Sequence, residues 1–464
     1  MLIRFRVSNY LSFNEMQEFT TMKGRVRTKK EHLLTDTKPE LLKFSAVYGA
    51  NASGKSNLIS ALSLSRRIIL GGIPSGISRD YHRLHQENKN KPTLFEYEIR
   101  LGNKCYAYGF DIILSEGKII GEWLYEIYPN KQDKLIYERE PEKEEQHRYL
   151  IGHKYKKSDL TTYIRGMETE TSLLLLTDIN RGKQSLYTQN PELQVLKDVF
   201  SWIAQKLIIT SAGLPLPTPL FYLRDDFKID SLDEILPSLG LGITKTKISN
   251  EKIETVQAAL TPHEFSRMRQ ETETIIKQAE SAVGKKPKKL TLAVHANRQY
   301  FILIIDVDTF KIHPKRLQFV HDGCDTTLFD LSEESDGTQR IFELLEILFA
   351  AANGSDCTYV IDEIDRSLHP LLTRRLIELY LSLSQNAKMQ LLVTTHESQL
   401  MDQNLLRSDE IWLINKKSTG VSELYSLDQF NVRFDKKISR DYMDGRYGAV
   451  PSFDEPRFEV LRSQ

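Results

Sequence analysis

The rhythm of hydrophobic and polar positions changes several times along this chain. LIRFRVSNY (2–10) alternates apolar and polar side chains, the period of a half-buried strand. FSAVY (44–48) is almost uninterruptedly apolar, which predicts a strand buried on both faces. NLISALSLSRRIIL (57–70) returns to apolar residues at helical spacing. From 94 to 127, LFEYEIRLGNKCYAYGFDIILSEGKIIGEWLYEI is rich in aromatic and branched residues and is broken at Gly102-Asn103 and Glu116-Gly117. That predicts hairpins in an antiparallel lobe. Its aromatic residues (Tyr97, Tyr106, Tyr108, Phe110, Trp123, Tyr125) fit a sheet core better than a stacking surface for bases.

Between about Tyr137 and Val283 the pattern becomes more polar and helical. In NEKIETVQAALTPHEFSRMRQETETIIKQAE (250–280), Pro262 splits the periodicity into two short helices. Beyond it, RIFELLEILFAAA (340–352) reads as a helix. YVI (359–361) and LLVT (391–394) read as buried strands, and EIWLINK (410–416) and SELYSL (422–427) as further strands.

Composition narrows the class. The 464 residues carry 40% hydrophobic and 27% charged side chains, as expected of a soluble globular chain of two or three units. Lys+Arg and Asp+Glu balance at 63 each, so no overall field draws the chain to nucleic acid or membrane. Cys105, Cys324 and Cys357 form no CxxC pair, and the histidines show no HxxxH spacing, which argues against a zinc site. Arg4 and Arg6 interrupt the first apolar run, and no run approaches a bilayer span. The expectation is a cytoplasmic protein without a membrane partner. Two basic clusters, Lys23–Lys30 and Lys285–Lys289, have the pattern of loops that contact phosphates, or of ordinary solvated charge.

The candidate chemistry lies where apolar strands stop. After FSAVY comes GANASGKS (49–56), which fits G-x-x-x-x-G-K-[ST] in the strand–loop–helix setting the motif requires. Backbone N–H groups of such a loop converge on phosphate oxygens. Lys55 would reach the β- and γ-phosphates, and the Ser56 hydroxyl would ligate Mg²⁺. The strand TYVI runs into Asp362 and Glu363, with Asp365 two residues on. Asp362 fits the second hold on Mg²⁺, and Glu363 is placed to take a proton from the attacking water. LLVTT ends at His396, which can contact a γ-phosphate or that water. SDGTQ (335–339) precedes a helix, offering another N-terminal phosphate site or a plain helix cap.

The order GxxxxGKS, SDGTQ, strand with DE, D-x-SLHP and TTH resembles ABC-type ATPases of the SMC/RecF/OLD group. YAYGFDI (106–112), GEWLY (121–125), EESDGTQR (333–340), DEIDRSLHP (362–370) and GRYGAVP (445–451) resemble the small bacterial RloA/AbiLi-like AAA subfamily; PARIS AriA and Septu-type ATPases are looser relatives. The resemblance implies an α/β fold: a P-loop head with a flanking antiparallel β lobe and a short helical insertion. The expected division is 1–136 for the first part of the head, 137–289 for the insertion and 290–464 for the rest.

The resemblance further implies a dimer in which Gly49, Asn51, Ser53, Gly54, Lys55, Ser56 and Asn57 hold ATP. Ser335 and Gly337 of the other protomer would close over it. Asp362 and Ser56 would hold Mg²⁺, Glu363 would be the base, Asp365 would line the dimer contact and His396 would be the switch. Two departures stand out: Asp336 replaces a glycine of the usual SGGQ, and no Q-loop glutamine can be assigned. The function implied is an ATPase regulator in antiphage abortive infection. It would control a separate nuclease or toxin effector of the TOPRIM/RloB type and answer to DNA or another phage-derived trigger. A RecF-like DNA repair ATPase and a slowly hydrolysing ATP-dependent scaffold are the alternatives.

Overall fold

The computed structural model describes residues 1–34, 38–129, 131–144, 148–182, 184–211, 230–261, 265–266, 268–270, 272–273, 276, 288–296, 299–323, 327–430 and 437–451. Among them, the chain builds a six-stranded central sheet in the order Leu207–Thr210, Thr358–Ile361, Gln390–Thr394, Phe44–Tyr48, Ile411–Lys416, Ser422–Ser426. The first five are parallel, and the last pairs antiparallel as a hairpin. Parallel strands need cover on both faces, which explains their continuous apolar runs.

Alternation within each strand sorts the two covers. Val47, Val360, Leu392 and Ile414 face the core that contains Leu58, Leu62 and Ile69 of the helix Lys55–Gly71. Ala46, Tyr48, Ile361 and Val393 face the other core, with Ile341 and Leu345 of the helix Asp336–Ala352 and Ile377 of the helix Pro370–Leu383. Fully burying one such aliphatic side chain stabilises the fold by about 1.5–3 kcal/mol.

The N-terminal lobe is a seven-stranded antiparallel sheet, ordered Tyr149–Ile151, Lys134–Arg139, Lys118–Ile127, Lys104–Ile113, Thr93–Leu101, Leu2–Ser8, Gln17–Thr20. Tyr97, Tyr106, Tyr108 and Phe110 are buried in it, so they are core. Trp123 Nε1 donates to Glu96 at 2.8 Å, and the Tyr125 hydroxyl donates to Glu138 at 2.7 Å. Gln390 stitches this lobe to the central sheet: its Oε1 accepts from Leu2 N at 2.7 Å, and its Nε2 donates to Leu2 O at 2.9 Å and Leu42 O at 3.3 Å. A third sheet, ordered Ile243–Asn250, Ile312–His321, Gln299–Asp306, Lys289–Ala296, is antiparallel.

The insertion is less helical than the sequence pattern implies. Within 137–289 the chain also contributes Tyr149–Ile151 to the lobe, Leu207–Thr210 to the parallel sheet and Ile243–Asn250 to the third sheet. LIIT is too short to show a period, and pairing with Thr358–Ile361 makes it a strand. The first short helix expected before Pro262 is present as Ile253–Ala259, while Pro262 itself lies outside the described residues.

The basic segment 23–30 is not a free loop. Arg407, buried in the body, donates to Val26 O at 3.1 Å and Thr28 O at 2.5 Å. Gly24 N donates to Asp409 Oδ2 at 2.8 Å and Arg25 N to Asp428 Oδ2 at 3.0 Å. Distant residues impose that docking, so local charge could not reveal it. Of the other basic cluster, Lys285 and its neighbours through 287 lie outside the described residues. No helix among the described residues is long and apolar enough to cross a membrane.

Candidate functional site

Parallel strands deliver their carboxyl ends to one edge, where ligands of open α/β sheets bind. Tyr48 runs into Gly49, Ile361 into Asp362, and Thr394 into His396. The loop 49–54 depends on two glycines. A Cβ on Gly49 would lie 2.5 Å from Ile414 O, and one on Gly54 would lie 2.7 Å from Ser12 Oγ at a backbone φ of +115°. Only glycine allows these approaches and the left-handed turn.

Lys55 opens the helix and is 5% exposed. Its ammonium donates to Gly49 O at 2.6 Å and Ala50 O at 3.0 Å, and lies 3.4 Å from His396 Nδ1. Burial pushes the Lys55 amine down to about 8, against the opposing pull of Asp362, Asp365 and Glu363. The ammonium thereby sets a positive charge beside these three carboxylates.

Asp362 is 3% exposed, and its Oδ1 accepts from Thr394 Oγ1 at 2.5 Å. The same Thr394 oxygen accepts from Glu363 N at 2.8 Å. One buried hydroxyl thus clasps both residues of the acidic pair. Glu363 is half-buried and sits at φ +52°, a left-handed conformation costing about 1–3 kcal/mol in a non-glycine residue. Asp365 Oδ2 accepts from His396 N at 3.1 Å. Asp365, expected to line a contact with a second protomer, therefore braces the histidine turn of its own chain. The His396 side chain is exposed.

Asn51 and Ser56 are exposed at the loop's mouth, and Ser53 is buried. Asn57 Nδ2 donates to Ser12 Oγ at 2.7 Å, and Ser422 Oγ donates to Ser53 O at 2.5 Å. The lobe turn at Ser12 and the hairpin at Ser422 thus hold the loop from both sides. Ser335 and Asp336 are exposed at the start of the helix Asp336–Ala352. Ser335 Oγ accepts from Thr338 N at 3.2 Å as a helix cap, and Asp336 lies in the first turn, where a negative charge favours the helix. A Cβ on Gly337 would lie 2.7 Å from Ser367 O, so this helix start is pressed against the turn after the carboxylates.

The residues fit a Mg-nucleotide. Ser53 Oγ, Thr210 Oγ1 and Asp365 Oδ1 are buried polar atoms without a hydrogen-bond partner around this edge. The available donors, a Ser56 hydroxyl and the Asp362 carboxylate, are hard oxygens suited to Mg²⁺. Among the described residues no three His, Cys, Asp or Glu side chains gather as a metal cage. Sequence reasoning missed Thr394, Ser12, Ser422 and Arg340, whose guanidinium Nη2 lies 3.4 Å from Glu363 O. The doubled threonine before His396 was the available signal for the first.

A family model described as "AAA domain, putative AbiEii toxin, Type IV TA system" matches residues 44–150 and 215–402. No curated protein matches the chain in sequence. Among solved structures, the chain is similar to an SMC head bound to the C-winged helix domain of ScpA (14% identity, 93% of this chain and 99% of that one, TM-score 0.44). It is also similar to the SMC head domain from Thermotoga maritima (12% identity, 92% and 98%, TM-score 0.35). A third is an Smc head domain with an extended coiled coil bound to the C-terminal domain of ScpA derived from Pyrococcus furiosus (15% identity, 93% and 97%, TM-score 0.35).

Proposed function

The chain belongs to this AAA family of AbiEii type, and from that premise we propose that it is a Mg²⁺-dependent ATPase that dimerises around ATP. The observation that carries this reading is the convergence of Lys55, the Asp362–Thr394–Glu363 clasp and His396 at one sheet edge. Gly49, Asn51, Ser53, Gly54, Lys55, Ser56 and Asn57 would hold ATP, with Ser56 and Asp362 holding Mg²⁺. Bound there, the metal would neutralise charge developing on the phosphates. Glu363 takes the proton of the attacking water, and His396 orients that water or the γ-phosphate. Lys55, protonated at neutral pH, balances negative charge beside Asp362. Exposed Ser335 and half-exposed Gly337 would meet the nucleotide of a second protomer, giving two composite sites in an isologous dimer.

In this reading residues 1–136 and 290–464 form the ATPase head, and 137–289 is an insertion that returns the strand Leu207–Thr210 to the head's sheet and Tyr149–Ile151 to the lobe. The biological role is control of a separately encoded nuclease or toxin effector in bacterial antiphage defence. Family membership supports that role.

The test is Glu363→Gln protein, sized with and without ATP and Mg²⁺ and then used to capture partners from its native extract. The expected result is an ATP-trapped dimer or larger assembly that retains a nuclease-like protein. Equal monomer fractions with and without ATP would overturn the dimer. Retained DNA without a protein would replace effector control with a repair role.

A further inference from the structure

We propose that Arg340 is a positioning residue that sets the backbone of Glu363 and so ties the state of the Ser335–Gly337 helix start to the catalytic base. This rests on the ATPase reading above for its consequence, but its geometry stands apart from it. Arg340 is 4% exposed, one turn into the helix Asp336–Ala352. Its Nη1 donates to Glu343 Oε2 at 2.7 Å, and its Nη2 lies 3.4 Å from Glu363 O. Its Nε is buried without a hydrogen-bond partner. A guanidinium held this deeply, with a donor left over, is not there to make a surface ion pair.

What it reaches is a strained turn. Glu363 at φ +52° and Ser367 at φ +61° are both left-handed without being glycine. Such conformations persist only when surrounding structure over-determines them. Two contacts from the same helix do so. Arg340 reaches the Glu363 carbonyl, and Gly337 has no Cβ because that atom would lie 2.7 Å from Ser367 O. Within the turn, Arg366 N donates to Glu363 O at 3.1 Å and Leu368 N to Asp365 O at 3.1 Å. The helix start that would meet a second protomer's nucleotide therefore shares with Thr394 in holding the base. A small shift of Ser335 and Gly337 is transmitted by a rigid helix turn to the carbonyl of Glu363.

Three variants test this. Arg340→Lys keeps the charge but loses the two-pronged reach. Arg340→Met keeps bulk alone. Glu343→Gln removes the ion pair and leaves the Glu363 contact. In Arg340→Lys, kcat for ATP is expected to fall about tenfold or more while KM stays within about twofold. Amide hydrogen exchange at Arg366 and Leu368 is expected to rise in both Arg340 variants, with little change in Tm. Glu343→Gln is expected to match the parent in both readouts. Parent-like kcat and exchange in Arg340→Lys would overturn the proposal, as would equal effects from Glu343→Gln, which would mark a role in helix stability alone. Should the parent chain hydrolyse no ATP, the ATPase reading falls, and the exchange measurement still decides what Arg340 holds.

Discussion

Two acidic sites, one in the lobe and one at the edge of the central sheet, are built in opposite ways. In the lobe, Glu122 and Arg139 are both fully buried. Glu122 Oε1 accepts from the Tyr108 and Tyr137 hydroxyls at 3.1 and 2.8 Å and from Leu176 N at 3.0 Å. Its Oε2 accepts from Leu175 N at 2.7 Å and Arg139 Nη2 at 3.1 Å. Arg139 also donates to Met167 O, Glu170 O and Leu173 O. The carboxylate thereby joins the lobe sheet to the start of the helix Leu175–Asn180. At the sheet edge, by contrast, Asp362, Glu363 and Asp365 share one lysine, a strained turn and several unpartnered polar atoms. The lobe carboxylate has both oxygens engaged by several protein donors, whereas at the sheet edge Asp365 Oδ1 is left without one.

The sharpest way to break this contrast is Glu122→Ala. Removing one partner leaves Arg139 charged and buried, so unfolding stability should fall by about 3–5 kcal/mol. Thermal or urea unfolding checks it, with nucleotide affinity of the folded fraction unchanged. A loss below about 1 kcal/mol would make the lobe cluster as dispensable as a surface pair.

Thr394→Val comes next. It removes the hydroxyl shared by Asp362 and Glu363 N. A loss of about 1–3 kcal/mol is expected from the unpaired buried groups, together with weaker Mg²⁺ dependence of hydrolysis. A stability loss with unchanged Mg²⁺ dependence would make the clasp structural only.

A further test is a pH dependence. Lys55 sheds its proton at about 8 in the native state and at 10.5 when exposed. Between those values the unfolded chain binds more protons, so the parent should gain stability relative to Lys55→Met as pH rises from about 8 to 10.5. The difference between them should be flat below about 8. A flat difference throughout, measured by denaturant titration, would remove the burial argument for this amine.

The sequence was most legible where chemistry is local. GANASGKS, the acidic pair after TYVI and the histidine after LLVTT each carry their neighbours with them, and the strands behind them are buried throughout. It was least legible where a partner lies far along the chain. Thr394 reaches Asp362 across 32 positions, and Glu122 meets Leu175 across 53. Glu122 itself was a missed signal, a lone acid inside GEWLY in a strand-forming run. Leu207–Thr210 escaped because four apolar residues have no period, and the 23–30 loop because its anchors, Arg407 and Asp409, belong to another part of the chain.

The central claim is that this sheet edge hydrolyses ATP through Glu363. The most direct measurement is phosphate release by purified parent and Glu363→Gln proteins, with and without Mg²⁺. The account predicts Mg²⁺-dependent release by the parent and a loss of about 10²–10⁴-fold in the variant, with ATP binding retained. Equal release by both proteins would contradict it.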